Sequence, residues 1–296
     1  MRKFLNIAVF VLAFVQVQAQ VQMLFSSDSL FNITSPLAID SLYYWFDASQ
    51  GVTDSLGGAI ANNEGVGTWN DLSGHGYHVT QTTNTDRPVY KTGAVSGYPG
   101  IQFDGSDDFL ASAAHFWGSD NISIFVVAKW TAETTTRVLV DKYSTVSNKR
   151  QWRYYYDTVA DSTRFVSSTN GTSATILAIK KDIPTVGTWI LQSLISNGSS
   201  GSFYLDGSSI KTGTTSTIYD NSLNKLGIGA AQTTDGTLAG FFHGVISEIV
   251  IFSKNLSTTE QVAIEAYLNR KYDLYYFLIL AFPVAGVRRR KIKEAA

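Results

Sequence analysis

A chain of 296 residues without cysteine can hold neither a disulfide framework nor a thiolate metal site, so its core must stabilise it. That length allows one large core and does not force a second domain. The formal net charge is −1, yet seven of the 23 basic residues lie at positions 2, 3 and 288–293, which leaves residues 20–273 acidic and excludes a phosphate-neutralising nucleic-acid groove.

Residues 1–19 read as a secretory signal peptide. Arg2 and Lys3 precede an apolar run over 4–15, and Val17-Gln18-Ala19 offers small residues for cleavage. The run is shorter than the ~20 residues of a spanning helix. Residues 20–40 are Ser/Asn-rich and polar, as in a linker or edge segment. From residue 41, aromatic or apolar runs alternate with Gly/Asn/Asp/Ser turns. The first are Tyr44-Trp45-Phe46-Asp47-Ala48, Thr68-Trp69-Asn70-Asp71-Leu72-Ser73-Gly74-His75-Gly76, Arg87-Pro88, and the run from Pro99 through Phe103-Asp104-Gly105 to Leu110. Such turns suit a sheet protein, since glycine supplies positive φ and Asx side chains bond their own backbone.

The strand signals continue at 122–130, 137–143, 151–157, 163–167, 188–196, 225–230 and 245–252. The first of these is continuous enough in β-branched and aromatic residues for burial on both faces. Residues 202–210 form a hairpin around Asp206-Gly207. A single helix is marked, by the capping box Ser257-Thr258-Thr259-Glu260. Val262, Ala263, Ala266, Tyr267 and Arg270 follow at helical spacing. The pattern predicts an all-β two-sheet sandwich over 41–273 with one short C-terminal helix.

The wording and order of the Trp/Gly/Asp clusters, with Gly244–Phe252 leading into Leu256–Glu260 and Tyr267-Leu268, resemble the concanavalin A-like lectin/glucanase superfamily in its laminin-G-like bacterial and phage branch. The resemblance spans about 42–272, the middle by strand pattern only. It implies a jelly-roll sandwich and a carbohydrate as ligand class. The expected function is non-catalytic, lectin-like recognition or adhesion at the exterior by a secreted or cell-surface protein, with a glycan or cell-surface polymer as partner. The alternatives are a structural surface or virion component that makes protein contacts in a larger assembly, and a glycoside-active enzyme. Residues 274–296 depart from the family: an apolar stretch precedes Arg288-Arg289-Arg290-Lys291-Ile292-Lys293, and could anchor, sort or pack. Membrane contact is expected only through residues 274–293.

Retaining glycosidases need two carboxylates ~5–5.5 Å apart. The glucanase relatives carry them as Glu-x-Asp-x-x-Glu, and the six glutamates here, at 64, 133, 248, 260, 265 and 294, never form that pattern. No catalytic residue is therefore assigned. Glu248 stands alone among apolar neighbours. Trp152, Tyr154 and Tyr156 share one face of a strand, opposite Arg153, Tyr155 and Asp157, and are the first candidates for a ligand-binding platform. Trp117, beside His115 and Phe116, is the second. Asp104, Asp107 and Asp108 are weak calcium candidates, since the ligand order of a calcium loop is missing and a structural turn explains them better. His75 and His78 flank a glycine turn and read as turn residues rather than metal ligands. No metal or other cofactor is expected.

Overall fold

The computed structural model describes residues 33–131, 136–144, 148–160, 162–172, 174–180, 186–219, 224–234 and 237–275. The expected signal peptide, most of the 20–40 segment, the basic tail, Glu133 and Glu294 lie outside the described residues. In chain order the strands are β1 Leu42–Asp47, β2 Val52–Thr53, β3 Thr68–Trp69, β4 Val79–Thr80, β5 Val89–Val95, β6 Tyr98–Asp104, β7 Leu110–Ala111, β8 Ile122–Trp130, β9 Arg137–Ser144 and β10 Lys149–Asp157. They continue with β11 Ser162–Ser167, β12 Thr175–Lys180, β13 Trp189–Ser196, β14 Ser200–Leu205, β15 Ser208–Thr214, β16 Gly227–Ile228, β17 Ala231–Thr234, β18 Thr237–Ala239 and β19 His243–Phe252. Helix α1, Thr258–Tyr272, follows.

Two antiparallel sheets make the sandwich, as the sequence predicts. One runs β15-β14-β13-β8-β19-β6-β5, and the other β12-β11-β10-β9-β16-β7-β4-β3-β2. β19 changes partner along its length. Its first half pairs with β6, and its second half with β1 in a register that sets Asp47 opposite Glu248. The first and last strands of the domain are therefore neighbours.

β8 shows why the first sheet needs two cores. Ile122, Ile124, Val126, Ala128 and Trp130 face the other sheet, while Phe125 and Val127 belong to a second cluster with Ala263, Ile264, Tyr267 and Leu268 of α1. A strand covered on both faces reads as one apolar run. Full burial of each large side chain is worth about 1.5–3 kcal/mol.

The capping box of α1 is formed: Ser257 Oγ accepts from the Glu260 N–H, and Glu260 Oε2 from the Ser257 N–H. The buried stripe is rotated from the expected one. Gln261, Ala263, Ile264, Glu265, Tyr267, Leu268 and Tyr272 are buried, whereas Arg270 is exposed. Polar groups explain the rotation. Glu265 Oε1 accepts from Ser193 Oγ of β13 and from Gln261 Nε2, so a carboxylate is used as glue where a hydrophobic pattern predicts none.

The Asp206-Gly207 hairpin forms with both residues at positive φ, at 47° and 76°, as a two-residue turn demands. The expected strand at 225–230 shrinks to β16 because Gly229, at φ +85°, turns the chain against Phe103, and a Cβ there would come within 2.4 Å of that ring. β12 and the β17–β18 hairpin add to the expected set.

Candidate functional site

Glu248 is not alone among apolar neighbours, contrary to the expectation from sequence. It lies at the bottom of a polar knot under α1. Its Oε1 accepts from Trp45 Nε1 at 2.9 Å and from the Tyr267 hydroxyl at 3.0 Å. Its Oε2 accepts from Lys271 Nζ and from the Tyr272 hydroxyl, each at 2.7 Å. A carboxylate with no exposure must be satisfied in this way. Burial, then the charge of Asp47, pushes its pKa up, against the pull of Lys271.

Lys271 reaches Asp47 as well, with Nζ 2.5 Å from Oδ2. Asp47 also accepts from the Ser49 backbone N–H and hydroxyl on Oδ1, and from Gln50 Nε2 on Oδ2. Three tyrosine rings surround the ammonium: Tyr272, Tyr98 and Tyr267, at 5.0, 5.5 and 5.9 Å from Nζ. The sequence placed these residues in four separate segments. The signal it offered was one acidic residue inside an apolar strand.

Above this knot opens a cleft of about 400 Å³, lined by Thr34, Ser49, Gln50, Tyr98, Tyr267, Arg270 and Lys271. Its size lies within the usual ~300–1,000 Å³ of ligand pockets. Tyr98 is 37% exposed and stands edge-on to Tyr272, with ring centroids 5.4 Å apart. Arg270 spends one nitrogen on the Ile33 carbonyl and, among the described residues, has no carboxylate within ion-pair distance. Hydroxyl, amide and guanidinium groups thus ring one partly open aromatic face. None of the cleft residues was a candidate from sequence.

The expected aromatic platform is corrected. Trp152, Tyr154 and Tyr156 are 0, 1 and 5% exposed and lie in the core between the sheets. Tyr154 stacks on Phe203 of the facing sheet and donates its hydroxyl to Gln192 Oε1, and burial pushes its pKa far up. The outward face of β10 carries Arg153, Tyr155 and Asp157 instead, with the Arg153 guanidinium 4.3 Å from the Tyr143 ring centre and bonded to Asp141. Trp117 is buried too, packed on Tyr43 and Trp152, whereas its neighbour Phe116 is 52% exposed.

Asp104, Asp107 and Asp108 do come together, with ligand atoms within 4.8 Å of one another. Much of their capacity serves the turn. Asp104 Oδ1 accepts from the Ser106 and Asp107 N–H groups, and Asp108 Oδ2 from the Asp104 N–H. Gly105 closes that turn at φ +82°, where a Cβ would strike His243. Burial, with the charges of Asp104, Asp107 and Asp86, pushes Asp108 up to about 7. His78 Nδ1 accepts from the Asp71 N–H, and His75 Nε2 lies 3.2 Å from the Leu42 carbonyl.

The profile of a family described as concanavalin A-like lectin/glucanases matches residues 103–262, more than half of the chain. The chain belongs to the concanavalin A-like lectin/glucanases superfamily. No curated protein matches it. Among solved structures, this superfamily member is similar to the receptor-binding domain of botulinum neurotoxin type G, at TM-score 0.51 and 13% identity over 79% of this chain and 52% of that one. It is also similar to the binding domain of botulinum neurotoxin DC in complex with rat synaptotagmin II, at TM-score 0.52 and 14% identity over 77% and 51%. A third is the serotype D ligand-binding domain in complex with N-acetylneuraminic acid, at TM-score 0.52 and 13% identity over 81% and 52%. The chain spans about half the length of these neighbours, and at such identity the likeness is one of fold.

Proposed function

We propose that this sandwich is a non-catalytic recognition module that works outside the cell and binds carbohydrate in the cleft beside the last turn of α1. One observation carries the reading: the cleft sets the partly exposed ring of Tyr98 among Thr34, Ser49, Gln50 and Arg270. A pyranose offers an apolar face and a ring of hydroxyls. Stacking on an aromatic face and hydrogen bonding to polar tips is the matching chemistry. Superfamily membership supports it, as do neighbours solved with N-acetylneuraminic acid and with rat synaptotagmin II. The apolar leader at 4–15 supports an exterior location, secreted or on the surface. Asp47 and Glu248 are a close carboxylate pair, but both are sealed beneath the cleft with no exposure, which supports a binding role over glycoside hydrolysis.

The test is binding to an immobilised glycan array, followed by titration of the best ligand against Tyr98→Ala. A loss of about tenfold in affinity, or ~1.4 kcal/mol, is expected with the fold unchanged. Retention of no glycan, or unaltered affinity in the variant, overturns the assignment.

A further inference from the structure

The Lys271, Asp47 and Glu248 side chains form a group that salt bridging alone does not explain well. Nζ lies 2.5 Å from Asp47 Oδ2 and 2.7 Å from Glu248 Oε2, both carboxylates have no exposure, and the lysine side chain is 11% exposed. Burying three ionisable groups together is costly, and a well-packed apolar cluster holds a helix equally well. The two acids are also set up differently. Glu248 takes hydrogen bonds from an indole and two tyrosine hydroxyls, and burial raises its pKa, which makes its carboxylate a stronger base than a solvated one. Asp47 is met by N–H and O–H donors on both oxygens, from Ser49 and Gln50. Donors so placed stabilise negative charge that develops on a carboxyl oxygen when its carbon is attacked.

We propose that Lys271 and Asp47 condense into an intramolecular amide, with Glu248 as the group that moves the protons. Glu248 accepts a proton from the Lys271 ammonium and frees the amine lone pair. Nζ attacks Cγ of Asp47, the new Nζ–Cγ bond forms, and the carbonyl electron pair moves onto Oδ1, where the Ser49 N–H and hydroxyl hold it. The carbonyl re-forms as the Cγ–Oδ2 bond breaks. Oδ2 carries away two protons that began on the ammonium, both delivered through Glu248, and leaves as water. The third stays on the amide nitrogen. One positive and one negative charge disappear together, and no oxidant or reductant is required. The fold holds Nζ 2.5 Å from Oδ2, on the carboxyl group it is to attack, an arrangement that turns an unfavourable encounter into an intramolecular step. Ser49, Gln50 and Lys271, which all bond to Asp47, also line the cleft, so the water is released directly beneath it. The product staples β1 to the last turn of α1 across 224 positions of sequence, in a chain that has no cysteine for a disulfide.

Tryptic digestion of the purified full chain, read by mass spectrometry, tests this. The expected product is a branched peptide joining the Asp47 and Lys271 segments, lighter by one water than the two together, with no cleavage after Lys271. Lys271→Arg and Asp47→Ala should each abolish it. Glu248→Gln, in protein that remains folded by circular dichroism, should slow its appearance at least tenfold. Wild-type protein that is folded and aged, yet yields the unlinked Asp47 peptide and full cleavage after Lys271, overturns the proposal. That result needs no variant to fold.

Discussion

The hydroxyl of Tyr44 donates to Nε2 of His115 at 2.5 Å, while Nδ1 of the same ring meets the Ala113 carbonyl at 2.8 Å. The carbonyl can only accept, so Nδ1 carries the hydrogen and Nε2 the lone pair. A ring in this position resists a second proton. Burial, then the charge of Lys142, lowers its pKa from 6.5 to about 4. The unfolded chain therefore binds a proton that the folded chain refuses. The contribution of His115 should be full above pH 6.5 and be lost as the pH drops towards about 4, with a slope of one proton. An NMR titration in which His115 protonates near pH 6.5 would contradict the assignment.

Asp108 should act with the opposite sign. Its folded pKa of about 7 means that the folded state holds a proton the unfolded state releases near pH 4. Its contribution is full below that value and is lost as the pH rises through about 7. Asp108→Asn should gain on the wild type across this window in urea melts at successive pH values. A constant difference would mean that Asp108 titrates normally.

The Asp104-Gly105-Ser106-Asp107-Asp108 turn closes on its own backbone donors, so EDTA should leave the melting temperature unchanged within about a degree. A bound ion would stabilise the native state by mass action. A rise of several degrees on adding calcium would make the three aspartates a metal site.

Adjacent tyrosines on β10 should respond differently. Tyr154→Ala removes a ring from the core and should cost about 3–5 kcal/mol. Tyr155→Ala, on the outward face, should cost about 1 kcal/mol or less. Equal losses in denaturant titrations would mean that the strand is packed on both faces.

At the helix start, Ser257→Ala removes the side-chain acceptor for the Glu260 N–H. The expected loss is about 1 kcal/mol. Ser257→Asp should restore most of it, since aspartate caps equally well.

Features set by neighbouring residues could be read directly from the chain. Ser257 and Glu260 announce their reciprocal bonds because both partners lie within one turn, and Asp206-Gly207 specifies its hairpin for the same reason. Alternation along β10 separated Trp152, Tyr154 and Tyr156 from Arg153, Tyr155 and Asp157 correctly. Which set meets water was decided elsewhere, by a facing sheet that brings Phe203 and Gln192 against Tyr154. The cleft was beyond reach for a stronger reason. Thr34, Gln50, Tyr98 and Arg270 have no common period, and their segments meet only through the pairing of β1 and β6 with β19 and the packing of α1 against that sheet.

That pairing has a mechanical consequence. Leu42 lies opposite Phe252, so the strand ends at which the chain enters β1 and leaves β19 sit side by side. Tension applied there would open the antiparallel ladder one bond at a time, like a zipper, which is the weak direction of a sheet. The Asp47–Glu248 pair closes the far end of this ladder, and Lys271 grips both residues. With Lys271 joined to Asp47, a pull on the two flanks would pass from one to the other through a single covalent bridge. For a pull applied before β1 and after α1, only β1 and that bridge would carry the load, and the strands and helix between residues 47 and 271 would bear none of it.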